Sequence, residues 1–231
     1  MARSAAEAER NPTTSRYLAR AIRFTPDNVA MEIPSVHVAC PGMTLGILAG
    51  GRATRLGGID KAWLHRDGIH QVIRLCDILA PQFSTTLVSA NRNLSRYVDH
   101  NLQTVTDRTS DAGPISGIDA LVGACRTRWL LTIPVDVLSV PVDLLERLAT
   151  TGQGAFAADD DGQQPLVALW PVAETKDAVA SALASNTYAV YALQARLHMP
   201  EIRFQAFRFG NLNTSNDLDA AGMTQDSGLN R

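Results

Sequence analysis

Cysteine is scarce in this chain of 231 residues: Cys40, Cys76 and Cys125 are odd in number, far apart, and form no C-x-x-C pair. Such a set gives neither a disulfide framework nor a zinc site. Cys76 and Cys125 fall among apolar residues of expected helices and read as small buried hydrophobes. Long apolar runs are missing as well. No stretch approaches the length that spans a bilayer, and no charged-then-apolar signal opens the chain, so a cytoplasmic protein with no membrane partner is expected. Nor is there an excess of basic charge. The 21 Lys+Arg against 23 Asp+Glu leave a formal net charge of −2, which argues against a nucleic-acid binder, because that role needs a basic surface to displace counterions. Any phosphate ligand must therefore be met locally. The five histidines, His37, His65, His70, His100 and His198, show no H-x-x-x-H spacing and no mutual clustering, and read as surface or packing residues. No Gly-x-Ser-x-Gly elbow offers a serine nucleophile.

What is present is the composition of an ordinary globular protein, 45% hydrophobic and 19% charged. The length suits one large α/β domain without a second core of independent size. Residues 1–42 stand apart: Ala, Arg, Glu, Ser and Thr dominate, with prolines at Pro12, Pro26, Pro34 and Pro41. We expect a loosely ordered arm without function, containing at most a short helix over Ser15–Arg23. Its acids balance its arginines, unlike a mitochondrial presequence, and Met43 directly precedes the first core strand, as an upstream start would leave it. A single domain is expected over residues 43–220, with a tail over 221–231.

From Thr44 strand and helix signals alternate as in a βαβ series. Strands are expected at Thr44–Leu48, Thr85–Ser89, Thr104–Thr106 and Trp129–Ile133, the last the most apolar and central. A brief extended piece at Ala62–Leu64 and a turn at Asp67-Gly68 precede a helix over Gln71–Leu79, which Pro81 stops. Asp111–Gly117 reads as a loop, Ile118–Ala124 as a helix, and Pro141–Leu148 as a helix with proline at an early position. Ala155–Ala158 and Pro165–Trp170 form a hairpin across Asp159–Gly162, which makes one strand of a mixed sheet antiparallel. Helices over Val172–Ala184 and Tyr188–Leu197, a strand over Arg203–Phe209 and a short helix capped by Thr214 or Ser215 complete the series.

The first strand opens onto Leu48-Ala49-Gly50-Gly51-Arg52-Ala53-Thr54-Arg55-Leu56-Gly57-Gly58-Ile59-Asp60-Lys61. Gly50 and Gly51 free the backbone to adopt conformations closed to other residues and to bring N–H groups against phosphate oxygens. Arg52 and Arg55 can pair with phosphate bidentately, while Lys61 supplies a compact, mobile charge. Walker A spacing is excluded because Asp60, not glycine, precedes the lysine, and no register gives Gly-x-Gly-x-x-Gly. Composition alone leaves open a Gly-rich turn with solvated basic residues. Asn91, Asp107 and Asp136 share the loop's address at the carboxyl ends of strands, where open α/β sheets bind ligands. Asp136 is the best candidate metal ligand, since Mg²⁺ is satisfied by one or two carboxylates plus phosphate and water. Each aspartate also has a plain alternative as a turn or cap residue.

The order L-A-G-G-R-x-x-R-L-G-G-x-D-K after a first strand resembles the signature of the molybdenum cofactor guanylyltransferases, nucleotidyltransferases of Rossmann-like fold. The resemblance covers about Thr44–Leu218. It implies a three-layer α/β fold, a mostly parallel sheet with one antiparallel strand and helices on both faces. It implies transfer of GMP from GTP to the terminal phosphate of the molybdenum-carrying molybdopterin cofactor, with Mg²⁺ held by Asp136. In that frame Arg52, Arg55, Lys61 and Asp136 are catalytic, and Leu48, Ala49, Gly50, Gly51, Lys61, Ser89, Asp107 and Asp136 bind nucleotide. Asn211 and Asn213, in Asn-Leu-Asn-Thr, border the pterin side. Transient contact with molybdopterin-delivering and molybdoenzyme-maturation proteins goes with such a role. The chain departs from the family at Ser89, where asparagine is usual, at Val137-Leu138 after the aspartate, and at Ser215, where proline is usual. Gly113–Gly117 reads Gly-Pro-Ile-Ser-Gly against the family's Gly-Pro-Leu-Ala-Gly. A cytidylyltransferase for the same cofactor is the nearest rival, disfavoured because those relatives carry Leu-Ala-Ala-Gly. A sugar-phosphate or polyol-phosphate nucleotidyltransferase and a non-catalytic cofactor carrier of the same fold are further alternatives.

Overall fold

Alternation of side chains along the strands builds this protein in three layers. In β6 (Trp129–Pro134) Leu131 and Ile133 face one layer while Leu130 faces the other, and in β8 (Gly162–Pro171) Val167 and Leu169 oppose Ala168 and Trp170 in the same way. The computed structural model describes residues 40–51 and 56–225. The arm over 1–42, its possible helix at Ser15–Arg23, Arg52 and Arg55 therefore lie wholly or almost wholly outside the described residues. All described residues belong to one unit, Ile33–Arg231.

A seven-stranded sheet runs in the order β5-β4-β1-β6-β8-β7-β9. Besides β6 and β8 its members are β1 (Cys40–Leu48), β4 (Phe83–Ser89), β5 (Thr104–Val105), β7 (Ala155–Asp159) and β9 (Glu201–Arg203). Neighbours pair in parallel except where β8 meets β6 and β7, so β8 alone runs against the rest. This is the mixed sheet expected of the Asp159–Gly162 hairpin. Strand order reverses at β1: the chain steps outward to β4 and β5, then returns to β6 on the other side of β1. That reversal opens a crevice at the carboxyl ends of β1 and β6.

Helices α1 (Gln71–Leu79), α2 (Leu94–Asp99) and α4 (Leu144–Ala149) cover one face, where Val72, Leu75, Tyr97 and Leu148 pack on the sheet. On the other face α3 (Pro114–Ala124), α5 (Val172–Ala184) and α6 (Val190–Arg196) bury Ile118, Leu121, Val179 and Leu193. α3 lies close on β1 because Gly46 has no Cβ; one placed there would sit 2.9 Å from both Leu121 and Leu130.

Helix α1 has the bounds expected of it. Several other elements differ. The extended piece at Ala62–Leu64 is a 3₁₀ turn, Lys61–Trp63, because the Asp60 side chain caps it by accepting from the Ala62 N–H at 3.2 Å. Short strands β2 (His65–Arg66) and β3 (Ile69–His70) flank the expected Asp67-Gly68 turn. Helix α2 was not expected at all, being only six residues long. Helix α3 starts at Pro114, a turn before Ile118, since proline at the first position costs no hydrogen bond. Conversely α4 starts at Leu144, after a turn closed by the Leu144 N–H on Pro141. The strand expected over Arg203–Phe209 ends at Arg203, because a turn follows in which Ala206 has φ +53°, between the buried Phe204 and Phe209. The last helix, α7 (Ser215–Ala220), is capped by Thr214 in a capping box with Asp217. None of the described helices is long and apolar enough to cross a membrane.

Gly154, which leads into β7, combines φ +89° with a backbone oxygen, that of Leu169, only 2.7 Å from where a Cβ would stand. Gly154→Ala is expected to cost roughly 2 kcal/mol or more, from left-handed strain plus a clash with immovable backbone. Gly152→Ala, with φ +66° and open space, should cost about half as much, and urea unfolding of the two variants measures the difference.

Candidate active site

The crevice at the strand-order reversal deepens into a cleft of about 750 Å³. Leu48–Gly51 at the end of β1, Ser89 and Asn91 after β4, Asp107 after β5, Gly113–Gly117 at the start of α3, and Asp136 after β6 come to it, with Lys61 and Arg92. The strands extend cleanly into the mouth: the Ala49 N–H donates to Ser89 O at 2.8 Å, and the Val135 N–H to Leu48 O at 3.0 Å.

Lys61 is the junction. Its ammonium donates to Asp136 Oδ2 at 2.8 Å and to Asn213 Oδ1 at 3.0 Å, so three segments distant in sequence meet on one charge. The two members of the ion pair are 16% and 22% exposed. Asn211 lies beside the junction, its backbone bridged to Val137, and the Leu212 N–H donates to Asp136 O at 3.1 Å. Hydrogen bonds from Thr214, through its hydroxyl and its N–H, hold the Asp217 carboxyl below its ordinary value, with smaller help from the Asn213 N–H and the Lys61 charge.

A second cluster sits at the other end of the cleft. Asn91 grips Asp107 twice, Nδ2 donating to the carboxylate at 2.8 Å and Oδ1 accepting from the Asp107 N–H at 2.9 Å. Ser89 Oγ reaches Asp107 Oδ1 only at 3.4 Å, a weak contact. Ser116 Oγ, buried in the first turn of α3, has no hydrogen-bond partner among the described residues. An orphaned buried hydroxyl costs about 1–3 kcal/mol, which a polar ligand group in the cleft would offset.

The glycines act differently from what their sequence pattern suggests. Gly57 and Gly58 adopt the left-handed region, at φ +66° and +83°, whereas Gly50 and Gly51 do not. Gly50 is needed for close approach instead: a Cβ there would come within 3.1 Å of Asn91 Nδ2. The histidines also require correction. His65, His70 and His100 do cluster, with Trp63: its ring centroid is 5.3 Å from His70, 5.4 Å from His100 and 4.8 Å from Tyr97, and His65 lies 5.8 Å from His70. The β2–β3 hairpin and the end of α2 bring together residues that no local spacing connects. Among the described residues no group of His, Cys, Asp and Glu forms a ready metal cage.

Sequence reasoning passed over Arg92 and Asn93. Arg92 donates to Gly58 O at 3.0 Å and Gly51 O at 3.2 Å, and Asn93 donates to Asp60 Oδ2 at 2.7 Å. An arginine following the asparagine at the end of β4 was the available signal.

Fold and cleft define a nucleotidyltransferase of Rossmann-like architecture. The MobA-like NTP transferase domain matches residues 45–198, and the chain belongs to that family. A molybdenum cofactor guanylyltransferase from Cupriavidus necator is 34% identical over 184 residues, covering 74% of this chain and 92% of the relative. One from Burkholderia ambifaria is 36% identical over 196 residues, covering 78% and 95%. Among solved structures, the molybdopterin-guanine dinucleotide biosynthesis protein A of Archaeoglobus fulgidus superposes with a TM-score of 0.61 at 18% identity, covering 77% of this chain and 96% of that one. The 2-C-methyl-D-erythritol 4-phosphate cytidylyltransferase of Thermus thermophilus gives 0.58 at 14% identity, covering 76% and 95%. At such identities these two likenesses establish the fold.

The loop carrying Asn211 and Asn213 hangs from Asp159, at the end of β7. Its Oδ2 accepts from the Phe209 N–H at 2.8 Å, and Oδ1 accepts from Asp161 and Gln164. Burial pushes this carboxyl up, but the Phe209 N–H, then Gln164 and the neighbouring backbone, more than reverse that and hold it below its usual value. A folded pKa below the unfolded value near 3.9 contributes stability that is present above that value and lost as pH falls through the folded one. Asp159→Asn puts a donor where an acceptor is needed and should cost about 1–3 kcal/mol at neutral pH. Its unfolding free energy should also change less between pH 4 and pH 2 than the wild type's; an equally steep loss in both would dissociate Asp159 from this role.

Proposed function

We propose that this chain transfers GMP from GTP to the terminal phosphate of the molybdenum-carrying molybdopterin cofactor. The observation that carries the reading is Lys61 hydrogen-bonded at once to Asp136 and Asn213 at the mouth of the cleft. It joins the residues assigned to nucleotide, metal and acceptor, and relatives that align over most of their length are named molybdenum cofactor guanylyltransferases.

The reaction needs no covalent enzyme intermediate. An oxygen of the acceptor phosphate forms a bond to the α-phosphorus of GTP while the bond from that phosphorus to the bridging oxygen of the β-phosphate breaks in line, and pyrophosphate leaves with the electron pair. The protein's part is to hold two anions together and to meet the charge that gathers. Lys61 serves this from the mouth of the cleft. Backbone N–H groups of the glycine loop are proposed as donors to anionic oxygens, and Arg52 and Arg55 are proposed to add bidentate contacts. Leu48 and Ala49 wall the nucleotide, and Ser89, Asp107 and Asn91 border its base end. Asn211 and Asn213 form the acceptor side.

The donor chemistry fits a divalent cation. Carboxylates Asp107, Asp111 and Asp136 outnumber the cations Lys61 and Arg92 among the described residues lining the cleft, so further positive charge would favour a bound triphosphate. Mg²⁺ is content with a single carboxylate when phosphate oxygens and water complete its shell, and Asp136 is the residue that would hold it. When bound, the ion would draw charge off the phosphate oxygens during transfer.

Pyrophosphate release in the presence of the pterin acceptor tests the reading: turnover is expected with GTP and absent with CTP. The reverse preference identifies a cytidylyltransferase, and no turnover with either nucleotide identifies a non-catalytic carrier. Asp136→Ala should lower magnesium-dependent transfer by about 10²–10³, as loss of a charge acting in the transition state does. Its melting curve should stay close to wild type, because a partly exposed ion pair contributes about 1 kcal/mol or less. A wild-type rate in that variant would sink the assignment of Asp136.

A further inference from the structure

We propose that Arg92 is a positioning residue for transfer, with Asn93 as its accessory: together they lock the glycine loop and the 3₁₀ turn that carries Lys61. The kinetic part of this inference rests on the proposed function. Its structural part stands on the contacts of three consecutive residues.

Asn91, Arg92 and Asn93 each bind a different wall of the cleft. Asn91 holds Asp107. Arg92 spans the two stems of the glycine loop, donating from Nη1 to Gly58 O at 3.0 Å and from Nη2 to Gly51 O at 3.2 Å. Asn93 donates to the free oxygen of the Asp60 carboxylate at 2.7 Å, while the other oxygen caps the turn at Ala62. Adjacent side chains can diverge this far because Asn93 takes the left-handed conformation, φ 52° and ψ 34°, which asparagine tolerates better than most residues.

The loop needs such a fixture. Gly57 and Gly58 both have positive φ, and glycine loses more backbone freedom on ordering than any other residue. A planar guanidinium fork is preorganised to reach two carbonyls on separate stems of the loop, whereas an ammonium on a flexible side chain is not. Behind the turn the same helix supplies more support, with the Arg96 guanidinium 4.2 Å above the Trp63 ring and Tyr97 packed edge-on against it. Lys61 thus meets Asp136 on a turn held at its start through Asp60 and at its end through Trp63, both by the segment that follows β4.

Arg92→Lys and Arg92→Gln separate bridging from charge. Hydrogen exchange over residues 56–64 is expected to accelerate about tenfold or more in both variants while β1 and β6 exchange as in wild type. The value of kcat should fall about tenfold or more in both, with KM for the pterin acceptor unchanged. Asn93→Ala should loosen residues 60–63 alone, and reads the same device should an Arg92 variant not accumulate as folded protein. Wild-type exchange and kcat in Arg92→Lys would show that positive charge suffices and overturn the bridge. Accelerated exchange throughout the sheet would overturn it in favour of a general stabilising role. If the wild-type protein fails to transfer GMP, the proposed function falls, and the exchange measurement still decides for or against the lock.

Discussion

One ammonium group ties the cleft together. Lys61 bonds Asp136 from the end of β6 and Asn213 from the loop after β9, and all three positions depend on the reversal of strand order at β1. Water reaches both members of the ion pair, so the pair contributes little to stability. That weakness suits its location. A pair worth about 1 kcal/mol or less yields readily to a polyphosphate that offers Lys61 more negative charge and to a cation that offers Asp136 more positive charge. A fully buried pair would resist, since separating it leaves uncompensated charges that cost about 3–5 kcal/mol.

The residues around the pair divide between soft and stiff. Stiffness comes from backbone held by side chains: Asp159 bonded to the Phe209 N–H, Gln71 Nε2 on Val137 O at 2.6 Å, and the bidentate Arg108–Asp119 pair behind Asp107. Each fixes a loop that carries a cleft residue, and each acts from behind, where a ligand does not compete. Groups that line the cleft include Lys61, Asp136, Asp107 and the Ser116 hydroxyl, and among the described residues their side-chain partners are neighbours at the cleft or none. A ligand exchanging those contacts for its own leaves the scaffold untouched.

How much of this was legible in the sequence follows from the range of the forces involved. Helix α1 was read with its observed bounds because its apolar period is local, and β8 was read as antiparallel because a four-residue Asp-rich turn permits nothing longer than a hairpin. The glycine-rich stretch was legible as a loop after the first strand, yet the positions in the left-handed region are Gly57 and Gly58, not Gly50 and Gly51. Sequence shows that a glycine is present but not which of its freedoms is used. Helix α2 was invisible because its six residues carry too little periodicity and lack the proline or side-chain cap that marks the equally short α4 and α7, and Arg92 and Asn93, whose partners stand 33 to 41 positions away, were passed over with it. The Trp63 and histidine cluster was missed for the same reason: its contacts span the chain from Trp63 to His100.

One departure from the family pattern, Ser89, packs against the first turn of α3. A Cβ at Gly117 would stand 3.0 Å from Ser89 Oγ and 2.8 Å from Leu48 Cδ2, so the first turn of α3 rests on the side chain at position 89. Serine in place of the family's asparagine leaves one amide fewer at this wall of the cleft, and the serine makes only a 3.4 Å contact with Asp107. Asn91, with two good bonds, takes over the task of holding that carboxylate. Ser116, directly before Gly117, brings a hydroxyl to the same region where the family pattern has alanine. Polar capacity lost from one wall is thus partly returned by the wall packed against it. A cleft this closely packed changes by coupled substitution, since a larger side chain at position 89 would press on α3 and through it on Gly46 and β1.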